Sequence, residues 1–418
     1  MKLRVDNFAL IKHAEIDIDG ITVIAGNNNS GKSTVGKILF SMFNALNNLD
    51  DKIKQQREEL VTDAVRFSFY ESEKSEHLAS RYSVVRYIVK QVLDDISKGE
   101  IMWPTLFSGL ESNYDLALSE ETKVKIQKEV ENVCNWPKER LLMDSLRASY
   151  LGVFNNQLNS LYHLENEATV DLFIKDTRTS IAFRNNDVVR YSSDITLINK
   201  AIYYSTPLVI DAIGSWRYSE VQIKHLSRLL SDYGYAVTDD ENLYAQSLQL
   251  GRLENVISKI KSVVPGQLVK DGHGYALKLP NCGEPIVLKN LSTGIKAFMV
   301  LRMLIEASLI KKRDILILDE PEIHLHPTWQ LIYAELIVLL QKEFDLSVVV
   351  TTHSHFFLNA IETYSRKYAT RDKLNLYLAE VEEGGAIIKN VTNDSEQIYK
   401  KMAEAVATLR SERIELAD

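Results

Sequence analysis

At 418 residues the chain is long enough for two or three compact units, each around a sizeable buried core. Hydrophobic residues at 45% and charged residues at 25% describe an ordinary globular protein and exclude a disordered or low-complexity chain. The net charge of -8 argues against a protein whose main surface neutralises phosphates, so a nucleic-acid partner has no support from charge, although a local basic groove can hide in an acidic average.

The first residues alternate like a strand and lack the apolar core of a signal peptide. No run of about 18 uncharged apolar residues is present to span a membrane, so no membrane partner is expected and the chain reads as cytoplasmic. Leu3 to Phe8, Ala14 to Ile18 and Ile21 to Ala25 read as strands, with Asp19-Gly20 turning between the last two. Residues 1–45 thus read as the N-terminal lobe of a sheet-based unit. From Asp51 the period becomes helical. Ile53, Leu60, Ala64 and Phe67 fall on one face, and Val85, Ile88, Val89, Val92 and Ile96 make a second stripe. Ser119 before Glu120-Glu121 reads as a helix cap, and Trp103-Pro104 and Asn135-Trp136-Pro137 punctuate the helices. Residues 46–165 are predicted to form an inserted helical subdomain.

Residues 166–264 mix strands and helices that link the lobes. Thr169 to Lys175, Thr179 to Arg184 and Val188 to Tyr191 read as strands, Leu208 to Asp211 as a further central strand, and Ser219 to Val264 as helical. A C-terminal lobe follows at 265–394, with strands near Leu374 to Glu382 and Ala386 to Val391, and a closing helix at 395–418. Cys134 and Cys282 belong to no metal-ligand spacing, and Lys311-Lys312-Arg313 reads as a solvated loop.

Gly26-Asn27-Asn28-Asn29-Ser30-Gly31-Lys32-Ser33-Thr34 fits the phosphate-binding template G-x-x-x-x-G-K-S/T, between an apolar strand and a helical pattern. A triphosphate needs convergent backbone N–H groups, the positive end of a helix, one ammonium and a hydroxyl for the metal, all within one short loop. Gly26 and Gly31 allow the backbone to turn its amides inward, Lys32 reaches the β- and γ-phosphates, and Ser33 ligates Mg²⁺. ATP and Mg²⁺ are therefore the expected ligands. Far along the chain, Ile315-Leu316-Ile317-Leu318-Asp319-Glu320-Pro321 describes a buried parallel strand that delivers two acids at its carboxyl end. Asp319 is expected to hold the metal and Glu320 to polarise the attacking water.

Leu291-Ser292-Thr293-Gly294-Ile295-Lys296 leads into a helix and can offer a hydroxyl and N–H groups to an anion, or simply cap that helix. His353, at the end of the β-branched run Ser347 to Thr352, reads by itself as a core histidine. His324 and His326, one residue apart, invite a metal reading, against which stands their close spacing.

These blocks resemble the ATP-binding cassette superfamily, whose signature loop is written L-S-G-G-Q. Here Thr293 replaces the first glycine, and Ile295-Lys296 stand where the glutamine falls. The wording of the loop, of Asp319-Glu320-Pro321-Glu322-Ile323-His324-Leu325-His326-Pro327 and of Thr351-Thr352-His353-Ser354 is similar to the overcoming-lysogenisation-defect and SMC-related ATPases. It is unlike that of transporter cassettes. The resemblance implies an α/β P-loop fold, an ABC-type ATPase head with a helical insertion. It also implies that Glu320, His353 and Lys32 are catalytic, His353 as a phosphate sensor, that His324 and His326 belong to the loop that follows the acids, and that Ser292 and Gly294 complete the nucleotide site of an opposite protomer. A homodimer or higher homo-oligomer through the heads follows. The stretch between the loop and Leu291 is too short for long paired coiled-coil arms at about 1.5 Å rise per residue, and the residues after His353 are too few for a nuclease domain. Such chains resemble the ATPase subunits of two-component anti-phage systems, Septu and PARIS among them, in which a separate protein, here expected to be a nuclease, is the effector. The rival readings are a repair or recombination ATPase that binds duplex DNA directly, and an ATP-binding scaffold that barely hydrolyses.

Overall fold

A computed structural model describes residues 1–73, 82–214, 220–231, 233, 253–271 and 274–415. The chain divides into two compact units, one made of residues 1–47 and 147–418, the other of residues 48–146.

The first unit is built on strands β1 (Lys2–Phe8), β2 (Ile11–Asp17), β3 (Ile21–Gly26), β4 (Ala168–Ile174), β5 (Thr177–Arg184), β6 (Asp187–Ser193) and β7 (Ala201–Tyr204). Strands β8 (Gln267–Asp271), β9 (Gly274–Lys278), β10 (Ile286–Val287), β11 (Ile315–Asp319), β12 (Ser347–Thr352), β13 (Leu374–Glu382) and β14 (Gly385–Asn390) follow. Among the described residues, eleven of them form one sheet in the order β6-β5-β4-β1-β2-β14-β13-β3-β12-β11-β7, while β10-β9-β8 form a small separate one. The half that runs from β13 to β7 is parallel throughout. Its strands are covered on both faces, which is why β3 reads Ile-Thr-Val-Ile-Ala-Gly with every residue buried, instead of alternating. In the other half β6-β5-β4-β1-β2 are antiparallel and β14 joins β2 in parallel, and there β1 does alternate, with Leu3 and Val5 turned into the core.

Parallel order aligns the carboxyl ends of β3, β12 and β11 as neighbours on one edge of the sheet. The expected phosphate loop, switch segment and acid pair leave from those three ends. Helix Lys32–Leu46 packs down onto β11 and β7 at Gly36, where an added Cβ would lie 2.7 Å from Ile317 Cγ2 and 3.1 Å from the Tyr203 ring. Glycine is required there for close approach.

The strand expected at Leu208 to Asp211 is instead a short helix, Val209–Ala212, and the strand beside β11 is β7. Pro207 has no N–H to donate to a ladder. Thr206 starts the turn, its hydroxyl accepting from Leu208 N at 3.2 Å, while all four residues of β7 are buried. The helical stretch expected over 219–264 is represented by Val221–Ser231 and Glu254–Val263; Ser219, 232 and 234–252 lie outside the described residues. Residues 155–165, expected within the helical insertion, form no helix. Leu158 accepts from Ala9 N at 2.9 Å and Asn159 bridges Phe8, so this segment lines β1.

The second unit holds helices Leu49–Glu73, Tyr82–Lys98, Trp103–Tyr114 and Glu120–Cys134, and the helix Lys138–Phe154 begins in it. Ser119 caps the fourth, its hydroxyl accepting from Thr122 N. The buried stripe of Leu49–Glu73 is Val61, Val65 and Phe69, at four-residue spacing. Phe67, expected on that stripe, is 51% exposed because it lies two positions off it. No helix among the described residues is long and apolar enough to cross a membrane.

Three helices of the first unit meet at one buried carboxylate. Glu335, on helix Pro327–Phe344, accepts from Lys259 Nζ and Lys367 Nζ at 2.8 Å each and from the Tyr368 hydroxyl at 2.5 Å. Burial works to raise its pKa, but the two ammonium groups and the phenol together outweigh burial and hold it at about 2. A folded value below the ordinary 4.5 means that this stabilisation is complete above about pH 4.5 and is lost as the pH falls towards 2. Glu335→Gln is therefore expected to cost up to about 3 kcal/mol at pH 7, lessened by the exposure of Lys367. The difference from the parent should shrink below pH 4. Urea unfolding at both pH values checks this, and equal midpoints at pH 7 would refute it.

Candidate functional site

β3 ends in Gly26 at φ 151°, where an added Cβ would sit 2.4 Å from the Ala379 carbonyl of β13. Asn29 at φ 62° and Gly31 at φ 80° then turn the chain left-handed into the helix. The loop closes on one acceptor: the Asn27 carbonyl receives the Ser30 hydroxyl and the Lys32 ammonium, both at 2.7 Å. Helix Lys32–Leu46 has no side-chain cap and no acid in its first turn. Its positive end stays open for an anion, unlike the helices capped by Ser119, Ser292 and Ser354.

Asp319, the last residue of β11, gathers three hydroxyls. Its Oδ1 accepts from Ser33 Oγ at 2.8 Å and Thr351 Oγ1 at 2.5 Å, and its Oδ2 accepts from the Tyr203 hydroxyl at 2.7 Å. Burial, then the Asp319 charge, holds the Tyr203 phenol far above its ordinary pKa, so it remains a donor. Successive strand side chains point oppositely. The chain resolves this for the acid pair by ending β11 at Asp319 and placing Glu320 at φ 48°, with its N–H donated to the Thr351 carbonyl and hydroxyl at 3.1 Å each. Glu320 Oε1 then lies 3.8 Å from Lys32 Nζ and 3.4 Å from His353 Nδ1. Lys32 is only 4% exposed, and burial lowers its pKa against the opposing pull of Glu320, Asp319 and Glu322.

Within one chain the fold thus gathers Lys32, Ser33, Asp319, Glu320 and His353. Gly26, Asn27, Asn28, Asn29, Ser30, Gly31 and Thr34 form the loop around them. Ser292 and Gly294 stand elsewhere, and among the described residues neither shares a hydrogen bond or ion pair with that cluster. Ser292 caps helix Thr293–Glu306, its hydroxyl accepting from Ile295 N at 3.4 Å, and is exposed. Gly294 is buried: an added Cβ would meet the Trp329 ring at 2.9 Å and the His324 carbonyl at 3.2 Å. Lys296, near the position of the usual glutamine, is buried and paired with Asp211 at 2.8 and 3.0 Å. His326 caps the next helix through Nδ1, and no group of three His, Cys, Asp or Glu among the described residues is placed to hold a metal.

Tyr203 has no sequence signal of its own, and Thr351 and Thr352 stand in the Thr351–Ser354 motif without any sign of their partners. Tyr203 is 116 positions from the carboxylate that it touches. The threonines could have been found only from the register that sets Thr351 opposite Asp319.

The donor set fits a Mg²⁺-bound triphosphate. One hydroxyl and one carboxylate leave most of an octahedron to phosphate oxygens and water, as this cation prefers. The uncapped helix and the buried ammonium are of the chemistry that an anion would need.

The family model AAA_15, described as an AAA ATPase domain, matches residues 1–358. Solved structures similar to this chain include an Smc head bound to the C-winged helix domain of ScpA, at 13% identity over 95% of this chain and 98% of that one, with a TM-score of 0.46. The SMC head domain from Thermotoga maritima matches at 14% identity over 93% of this chain and 98% of that one, TM-score 0.40. An Smc head with an extended coiled coil, bound to the C-terminal domain of ScpA derived from Pyrococcus furiosus, matches at 13% identity over 96% and 99%, TM-score 0.42.

Tyr203→Phe keeps the edge contact of the ring with Phe40 but removes a donor to a charged acceptor. The expected loss is about 1.5–3 kcal/mol in urea unfolding, with secondary structure retained. Parental stability would show that Asp319 does not depend on this bond.

Proposed function

The chain belongs to this family of AAA ATPase domains, and from that premise we propose an ATP-hydrolysing switch whose heads pair around nucleotide and so control a separate effector, a nuclease in anti-phage defence. The observation that carries the reading is the convergence of Lys32, Ser33, Asp319, Glu320 and His353 beside an uncapped helix end, with Ser292 and Gly294 left outside the cluster in the same chain.

The amides of Gly26 to Ser33 and the end of helix Lys32–Leu46 bind the phosphates. Lys32 exchanges the Asn27 carbonyl for a phosphate oxygen, which restores a full partner to a buried ammonium. Ser33 and Asp319 would hold the divalent cation, which would neutralise charge on the phosphates when bound. Glu320, already beside His353, orients the water and takes its proton, while His353 reads the terminal phosphate. Ser292 of a second copy, exposed on its helix, closes the site. The resemblance to two-component defence ATPases supports the effector. Direct binding of duplex DNA finds no support in the net charge of -8.

Two measurements test this. Glu320→Gln should leave ATP affinity within about twofold while slowing turnover by roughly 100-fold or more, since general-base removal costs about 10²–10⁴. Undiminished turnover removes Glu320 from the chemistry. Mixing Lys32→Ala with Ser292→Arg, each inactive alone, should restore part of the turnover through composite sites, whereas a site contained in one chain gives no complementation.

A further inference from the structure

Glu322 lies three residues past Asp319 and has no part in the chemistry above, yet it is 2% exposed. Its Oε1 accepts from the Thr352 hydroxyl, and Oε2 is buried with no hydrogen-bond partner. A half-satisfied buried carboxyl is costly, and packing alone would favour an apolar side chain there.

The partners of Glu322 indicate its use. Thr351 and Thr352 end β12 with side chains on opposite faces. The Thr351 hydroxyl goes to Asp319, and the Thr352 hydroxyl goes to Glu322 while accepting from Ser354 N at 3.0 Å. Ser354 in turn caps helix His355–Lys367, its hydroxyl accepting from Phe357 N at 3.2 Å. The residues on both sides of His353 are therefore fixed, and His353 itself, 45% exposed at its side chain, faces Glu320. Glu322 is anchored on its own side: its carbonyl accepts from Leu325 N at 2.9 Å and Gln330 Nε2 at 3.4 Å. The carboxyl thus ties the turn after β11, which carries Glu320, to the turn after β12, which carries His353.

We propose that Glu322 is a positioning residue that, through the Thr352 hydroxyl, holds His353 in register with Glu320. This rests on the reading that Glu320 and His353 act on the nucleotide. The pair is set by a side-chain bracket that either member can break, and an amide oxygen in place of the carboxylate can still accept from Thr352.

The test uses the full chain with Glu322→Ala, Glu322→Gln, Thr352→Val and the double variant Glu322→Ala/Thr352→Val. Two readouts are taken: steady-state ATP turnover, and the ring-proton NMR signal of His353 in nucleotide-free protein, assigned with His353→Gln. Glu322→Ala and Thr352→Val should each lower kcat by roughly 10- to 100-fold with KM within about twofold, as expected for a reacting geometry displaced by about 1 Å. The double variant should be no worse than the poorer single one. Both should displace the His353 signal, and Glu322→Gln should keep most of the turnover and leave the signal in place. The proposal fails if Glu322→Ala leaves the signal unmoved, if the two losses add, or if Gln is as damaging as Ala. Should Glu322→Ala not fold, the nearly isosteric Thr352→Val decides by the same criteria. A parent chain without turnover would count against the hydrolysis reading alone, because the His353 signal still decides whether the bracket exists.

Discussion

The carboxylate of Asp319 is the point on which the site depends. Ser33, Thr351 and Tyr203 come from the helix after β3, from β12 and from β7, and each donates its hydroxyl to this one acid. Removing the acid would leave three donors without their acceptor, Tyr203 among them fully inside the protein. One carboxyl group therefore links β11, β12, β7 and the helix after β3 at their site ends, and the same oxygens are those that a cation on Ser33 would share.

Around it stands an excess of negative charge. Asp319, Glu320 and Glu322 all act on the ammonium of Lys32, which burial disfavours and which donates to the Asn27 carbonyl. A bound triphosphate would give that ammonium and the open helix end their natural partner. It would also bring more negative charge to the acids, which only a divalent cation could balance. The electrostatics alone link nucleotide and metal, before any step of chemistry is invoked.

The signature-like segment obeys a different constraint. Gly294 is small because Trp329 and the His324 carbonyl press on it, and Lys296 is turned inward to Asp211. The retained Gly294 and the inward Lys296 thus have local packing reasons, while Ser292 remains exposed at the head of its helix.

Much of this was legible without coordinates. The phosphate loop, the strands β3, β11 and β12 and the capped helix at Ser119 announce themselves because their causes are local: glycines where φ is positive, apolar runs where both faces are buried, a serine before acids. Where a local rule had a competitor it misled. An apolar Leu208 to Ile210 reads as a strand until Pro207 and Thr206 start a helix, and Phe67 fits a periodic face that lies two positions from the buried one. The partners of Tyr203, Thr352 and Glu322 were not legible, although the last two lie in quoted motifs, since nothing near them in the chain signals a partner 30 or 116 positions away. The order of residues by itself determined the phosphate-loop template and the strand that ends in the acid pair, because their backbone and side-chain chemistry is written within a few positions. Only tertiary structure decided which hydroxyls hold Asp319, where His353 faces and why Gly294 is small, because strand order and register bring together groups that no local pattern connects.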